Sequence, residues 1–377
     1  MSAVTRIHVI NFWRKFAVNS VFFLTPLYFL KIGLTGWQIG VIISLYAFAP
    51  LLSSFPAGWI NDRLSIKKVI QAALVLLSLL LVAAGRSHTF VVMALLFLFI
   101  GVANNALDVS TNSLYYKDET ALNQNKKYSR LAFWLALGTA CGILVGGLLI
   151  HLANFQVLFY AYAAILLAVL SMTGRLGDER FELVTLKEYK SNLLRRKTML
   201  FSFLIFILAL HWGVEGTVYS PFLRENFGLN NLQLALFMSL ALLAMAFSAF
   251  FVGLLKTRPA VNKRVFIISM LLSGLGLALM ATGNVYLSFC FRVVHEVGDG
   301  MLSALVVLFI SRLFAQRTIG GSSGLLLAIQ TLGNMVGSLV FSPLGYNIGL
   351  KYPFLIAGGL LVMNSGFAYF VFKREKY

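Results

Sequence analysis

Long apolar runs separated by short polar segments set the pattern of this chain. Twelve runs of roughly 20 residues, the length a helix needs to cross a ~30 Å hydrocarbon layer, are centred near Leu24, Leu45, Leu76, Leu96, Leu144, Leu166, Phe206, Leu243, Leu272, Leu305, Val336 and Leu361. Twelve spans use about 240 positions, so short loops fill the remainder and no soluble domain fits. The first run is long and lacks a small-x-small cleavage site followed by soluble chain, which makes it a span and not a cleaved signal.

A second pattern lies on top of the first. Shifting the sequence by 195 positions places Pro26 on Pro221, Gly33 on Gly228, Gln38 on Gln233, Ser44 on Ser239, Gly58 on Gly253, Arg63 on Arg258, Gly138 on Gly333 and Gly142 on Gly337. Leucine matches arise from composition alone, whereas Pro, Gly and Gln at one offset point to duplication. Six spans per copy bring both copies into the membrane from the same side, as parallel repeats. The predicted fold is therefore all-α, a polytopic membrane protein with 12 transmembrane helices in two parallel six-helix halves. The expected parts are an N-terminal bundle over 1–174, a cytoplasmic linker over 175–197 and a C-terminal bundle over 198–377.

Composition agrees with that reading. The chain is 59% hydrophobic and 12% charged, against about half and a quarter in soluble domains, which excludes an ordinary soluble enzyme. Lys and Arg number 31 against 13 Asp and Glu. With the N-terminus inside, the inner segments take nearly all of these bases, Arg14 and Lys15 among them, while the outer loops hold only Lys31, Arg86, Arg224 and Lys351. The positive-inside rule then puts both termini in the cytoplasm of a multi-pass inner (plasma) membrane protein. The basic excess is topology, and no nucleic-acid partner is expected. Cys141 and Cys290 fall inside spans and read as small buried hydrophobes.

Between spans 2 and 3 the chain reads Gly58-Trp59-Ile60-Asn61-Asp62-Arg63-Leu64-Ser65-Ile66-Lys67-Lys68. This resembles the loop motif of the major facilitator superfamily, with Gly58, Asp62, Arg63, Lys67 and Lys68 matching and Ile60 and Ser65 replacing the usual Leu and Gly. The resemblance implies the family's transporter fold and a gating latch in which an acid faces bases and a helix terminus across the halves. At the second copy, Thr257 stands where the acid would be. Span 5 carries Gly138, Gly142, Gly146 and Gly147, similar to the family's antiporter motif with Ile143 in place of its proline; close helix packing explains such small residues equally well. Span 4 carries Leu107-Asp108-Val109-Ser110-Thr111-Asn112, similar to the acid-then-Asn pattern of fucose-permease-like sugar transporters, in which the acid is implicated in proton coupling.

Charge inside a membrane is expensive, so each such residue needs a partner or a function. Span 10 holds Arg292, His295, Glu296 and Asp299 on one face, with Arg292 spaced to reach Glu296 and His295 to reach Asp299. Span 7 adds His211 and Glu215. Together with Asp108 these are the expected proton-coupling residues, Glu296 and Asp299 first; the alternative is a set of structural ion pairs bracing spans 7 and 10. Arg292 and the polar Asn19, Asn104, Asn105 and Asn112 are the expected substrate contacts, with Asn19 the sole contribution of span 1. Phe22, Phe23, Tyr28, Trp134 and Tyr219 are aromatic candidates, and His8, His88 and His151 receive no role.

No phosphate-binding loop, dinucleotide fingerprint or metal-spaced Cys/His cluster is present, so neither enzymatic activity, nor a metal, nor a cofactor is expected. The expected function is secondary active transport of a small organic solute by alternating access, driven by a proton gradient, with symport ahead of antiport. The expected partners are the solute and the lipid bilayer around a monomer. The alternatives are a drug/H+ antiporter exporting lipophilic compounds, a lipid flippase, and a membrane sensor without net transport.

Overall fold

The computed structural model describes residues 3–63, 65–117, 124–174, 176, 195–255, 259–314 and 319–374, and all their regular structure is helical. The helices are α1 (Ala3–Lys31), α2 (Gly36–Arg63), α3 (Ile66–Arg86), α4 (Phe90–Lys117), α5 (Gln124–Leu152), α6 (Phe155–Thr173), α7 (Arg196–Thr217), α8 (Tyr219–Phe227), α9 (Asn231–Val252), α10 (Pro259–Leu279), α11 (Val285–Leu313), α12 (Ile319–Ile348) and α13 (Tyr352–Arg374). The short α8 continues α7 after a break at Val218, so the pair counts as one span and the described residues hold twelve. Eleven of the helices are long and apolar enough to cross a membrane. The remaining span, α1, has 29 residues but carries Arg6, Arg14 and Lys15 along its first half.

The repeated residues have structural work to do at the helix ends. Gly33 ends α1 and Gly228 ends α8, at φ of 81° and 66°, a left-handed conformation that suits a residue without Cβ. Two residues further on, the Thr35 amide donates to Gln38 Oε1 at 2.9 Å and the Asn230 amide to Gln233 Oε1 at 3.0 Å. These are the same N-terminal capping device at the same offset.

Packing repeats as well. In the first half α1 lies on α5 and α6, α2 on α4, and α3 on α4 and α6; in the second half α7 lies on α12 and α13, α9 on α11, and α10 on α11 and α13. Gly138 and Gly142 sit against the Phe12 and Phe16 carbonyls of α1, while Gly333 and Gly337 sit against the Phe206 and Leu210 carbonyls of α7. Each leaves no room for a side chain, so these helix pairs cross at backbone contact. The span 5 glycines Gly138 and Gly142 are thus spent on packing within their own half. Gly147, one turn on, is different: it faces Ala235 of α9 across the halves.

The halves meet mainly along α5 with α9 and α2 with α12. At the end of the molecule away from the chain termini, Ser342 Oγ donates to the Gly36 carbonyl at 2.6 Å, and the Tyr346 ring covers Gly36. The outward faces expose Leu79, Val91, Phe99, Phe203, Met363 and Phe370, an apolar coat that suits lipid and not water. Cys141 is half-buried, but Cys290 is exposed on that coat, which corrects its reading as a buried hydrophobe.

Candidate functional site

Two polar clusters lie within the helices, and in each half the same two spans build one. In the second half these are α7 and α11, spans 7 and 10. Arg292 Nη1 reaches Glu215 Oε1 at 2.5 Å, and its Nη2 bonds Glu296 one turn along α11. The guanidinium lies over the Tyr219 ring, 4.2 Å from its centroid, a cation–π contact. The expected Arg292–Glu296 pair is therefore present, but Arg292 also ties the two helices together.

The expected His295–Asp299 pair is not direct. His295 Nδ1 points at the Ser273 carbonyl of α10 at 2.8 Å and at the Ser273 hydroxyl at 3.1 Å; that hydroxyl donates to Asp299 Oδ1 at 2.8 Å. Residues at i and i+4 on α11 are neighbours in sequence spacing, but α10 approaches so closely that its serine comes between them. His295 Nε2 faces Glu215 Oε1 at 3.1 Å. Asp299 pairs across the helices with His211 instead, its Oδ2 lying 3.1 Å from His211 Nε2, and it also accepts from Trp212 Nε1 at 3.4 Å.

Hydrogen-bond chemistry fixes how many protons this arrangement holds. A carbonyl only accepts, so Nδ1 of His211, bonded to the Leu208 carbonyl, and Nδ1 of His295 are both N–H donors. Each Nε2 then faces a carboxylate oxygen, and a nitrogen lone pair opposite a carboxylate needs one proton between them. Charge balance gives the same count. Arg292 offsets one of the three carboxylates Glu215, Glu296 and Asp299, and neutrality of the buried cluster requires two protons more. Every side chain of the cluster is buried, where an uncompensated charge is costly.

Ligand atoms of His211, His295 and Asp299 lie within 4.8 Å of one another, which satisfies the spacing of a metal set. Their bonds to Leu208, Ser273 and Trp212, and the Glu215 carboxylate on His295, account for the geometry without one.

Backbone contact positions these groups. Gly276 of α10 packs on the His295 backbone, and Gly298 of α11 packs on Ser269 and Ser273. A Gly276→Val substitution forces α10 and α11 apart, with a cost of about 1–3 kcal/mol or more. The expected outcome is a lowered melting temperature of the purified protein; an unchanged one would mean that the helices accommodate the methyl groups.

In the first half, α1 and α4 (spans 1 and 4) build the second cluster. Arg14 donates to Asp108 Oδ1 at 2.5 Å, to Asn104 Oδ1 at 2.7 Å and to Asn11 Oδ1 at 3.3 Å. Asn11 also accepts from Thr111 at 3.2 Å, and Asn104 donates to the Tyr46 hydroxyl of α2 at 3.1 Å. Arg14 was expected at the inner surface as part of the topology signal. It lies eleven residues into α1, with its side chain fully buried and that of Asp108 30% exposed. Span 1 therefore contributes Arg14 and Asn11 to the interior and not Asn19 alone. The clue in the sequence was Asp108, a buried acid without a basic partner on its own span.

Other expected residues have other places. Asn105 donates to Ser53 and Ser54 of α2, and so joins two helices. Asn19 and Asn112 are half-buried and join neither cluster. His8 bonds the Tyr115 hydroxyl at 3.2 Å, and His88 bonds that of Tyr28 at 3.2 Å. Phe22 packs on Gly216. Of the loop motif, Lys67 donates to the Gly174 carbonyl at the end of α6, at 2.6 Å, inside its own half, and Lys68 is exposed. Gly58, Asp62 and Arg63 fall in the last turns of α2 with side chains outside the described residues. Thr257 and residues 177–194 of the expected linker also lie outside them.

Comparison with known proteins bears on all of this. A family model described as Major Facilitator Superfamily matches residues 9–258 and 201–377. The chain is 21% identical over 344 residues to the quinolone resistance protein NorA of Staphylococcus aureus, covering 89% of this chain and 87% of that one. It is 22% identical over 372 residues to multidrug resistance protein 2 of Bacillus subtilis (strain 168), covering 92% and 90%. Among solved structures it superposes on the nucleoside transporter NupG with a TM-score of 0.75 at 16% identity, over 100% of both chains. The score is 0.79 at 14% identity on a POT family transporter in complex with a thioalcohol conjugated peptide, over 98% and 96%.

Proposed function

Because the chain belongs to the Major Facilitator Superfamily, we propose that it is a secondary active transporter which moves a small organic solute by alternating access, coupled to protons. It acts as a non-enzymatic carrier, without cofactor, with both termini cytoplasmic and the two six-helix halves rocking about the polar interior. The observation that supports the coupling is the buried cluster of three carboxylates, two histidines and Arg292 between α7 and α11. A sealed cluster whose neutrality depends on two shareable protons changes charge whenever it opens to water, and a carrier coupled to a pH gradient needs such a group. The proton-coupling residues are His211, Glu215, His295, Glu296 and Asp299, and Asp108 in the other half.

Symport of a polar solute is the first reading. It draws support from Asp108 and the polar groups of α4, and from Ile143 standing where the antiporter motif has proline. The names of the two bacterial relatives favour a second reading, export of lipophilic compounds in exchange for protons. Purified protein in liposomes, given a metabolite panel under an imposed pH gradient, tests the proposal: solute is expected to accumulate with the inward proton gradient. Accumulation against it would select the second reading, and movement independent of pH would remove the coupling.

The loop motif adds one expectation. If Asp62 latches the closed gate, Asp62→Asn alters the rate of solute exchange severalfold with little change in apparent affinity, as measured by counterflow in the same liposomes. An exchange rate equal to wild type would leave the loop with topology alone.

A further inference from the structure

Bases are scarce at the end of the molecule away from the chain termini. The sequence puts Lys31, Arg86, Arg224 and Lys351 there, and the fold brings two of them to one place. Lys31, the last residue of α1, and Arg224 of α8 line the same cavity, of about 460 Å³. They belong to different halves. Helix α1 packs on α8 across the halves, and Gly147 of α5, one turn before the cavity wall at Ile150, packs on Ala235 of α9. The cavity therefore sits on the seam where the halves close, on its α5–α9 side, while the Ser342–Gly36 bond closes the α2–α12 side.

Local structure sets the charge of this cavity. Arg224 Nη2 donates to Asn231 Oδ1 at the start of α9, which fixes the guanidinium across the turn that follows α8. Among the described residues neither Lys31 nor Arg224 has a carboxylate within 4 Å. Glu225, next to Arg224 in sequence, does not line the cavity. Two like charges on one space repel, and an anion between them reverses the sign of that interaction. The rest of the wall is divided, with Asn154 and Asn231 polar and Leu27, Leu30 and Ile150 apolar. A volume of this order holds a small organic molecule. Two cations beside an apolar wall suit an oxyanion on a short apolar stem, and both base types pair with phosphate.

We propose that this cavity binds the phosphate-type oxyanion of an amphipathic molecule between Lys31 and Arg224, with its apolar stem along Leu27, Leu30 and Ile150, and that the bound anion clamps the two halves together at this end. The anion takes one base from each half, so it binds the closed arrangement and loses a partner when the halves part. By linkage it favours that arrangement to the same degree. The phosphate of an anionic lipid and that of a soluble organic phosphate share this chemistry. The clamp rests on the alternating-access reading; the binding does not.

The test compares one stem with three head groups. Hexyl phosphate, neutral hexanol and cationic hexylammonium are titrated calorimetrically into the purified full-length protein in phosphatidylcholine nanodiscs, against empty discs. Hexyl phosphate is expected to bind at least about tenfold tighter than the other two. Lys31→Gln and Arg224→Gln are each expected to weaken it about tenfold, whereas Arg86→Gln, at the same end but outside the cavity, leaves it unchanged. Lys31 is exposed, so its variant reads the site even where Arg224→Gln disturbs the fold. Spin labels at Trp37→Cys and Ile348→Cys, exposed positions at this end of α2 and α12, read the clamp in a chain with Cys141 and Cys290 changed to Ala. Hexyl phosphate is expected to shift their distance distribution toward its shortest component, and to lose that effect in Lys31→Gln. With phosphatidylglycerol added to the discs, a tenfold weaker apparent affinity for hexyl phosphate assigns the site to a lipid phosphate, and an equal affinity assigns it to a soluble one. Equal binding of the three probes, an unchanged affinity in Lys31→Gln, or a distance unmoved by bound phosphate overturns the proposal. The two readings fail separately: charge-selective binding and the distance shift without any solute movement in liposomes would remove transport and leave this site.

Discussion

Replacing Arg292 with Met is expected to be among the most damaging single changes in this protein, with a loss of about 3–5 kcal/mol of stability. Arg292 is the fixed positive charge between Glu215 and Glu296, and all three side chains are buried. Without it two buried carboxylates lose the positive charge between them. Methionine fills the volume over Tyr219, so the cost isolates charge from packing. Thermal unfolding of detergent-purified protein should show a large drop in melting temperature. The double change Arg292→Met with Glu296→Met should recover much of it, because it removes the orphaned carboxylate along with its partner. A single variant as stable as wild type would mean that the pair is solvated and the cluster is not the sealed unit described above.

The second large effect concerns coupling. Asp299→Asn keeps the shape of the side chain and its contact with Ser273 but cannot share a charge with His211. Removing that carboxylate removes one of the two protons the cluster needs, and His211 then rests neutral. The expected result is at least about a tenfold loss of uptake driven by a pH gradient, with counterflow exchange under equal pH largely retained. Glu296→Gln bears on the same point from the Arg292 side. If both variants keep wild-type pH-driven uptake, the α7–α11 cluster is a brace between helices and protons are carried elsewhere.

Asp299 also illustrates what spacing along a helix can and cannot say. Its separation from His295 puts both on one face of α11, and that much followed from 3.6 residues per turn. Whether they touch depended on α10, because its Gly276 and Gly298 of α11 allow an approach close enough for Ser273 to come between them. His211 was legible as a buried ionisable residue of span 7, but its partner was not, because Asp299 lies on a different helix, 88 positions away, and meets it only through tertiary packing. Arg14 has a partner that was not legible for a related reason. A base near the start of a span counts as an inner-end charge when only the run of hydropathy is considered, and its bonds to Asp108 and Asn104 depend on how α4 packs on α1. Asn105, read as a solute contact, bonds α2 because its side of α4 faces that helix.

The sequence alone determined the spans, the repeat that pairs Gly33 with Gly228, and the identity of most buried charges. These follow from constraints that act locally along the chain: the thickness of the hydrocarbon layer, the absence of water to satisfy a backbone outside a helix, and the cost of charge within it. Only the tertiary structure decided which charge meets which. It joined Arg14 to Asp108, His211 to Asp299 and Arg292 to Glu215, and it left the charged groups of one cluster buried and Asp108 of the other partly exposed. Those outcomes depend on the depth and rotation of each helix against its neighbours, which are set by side-chain packing between distant parts of the chain.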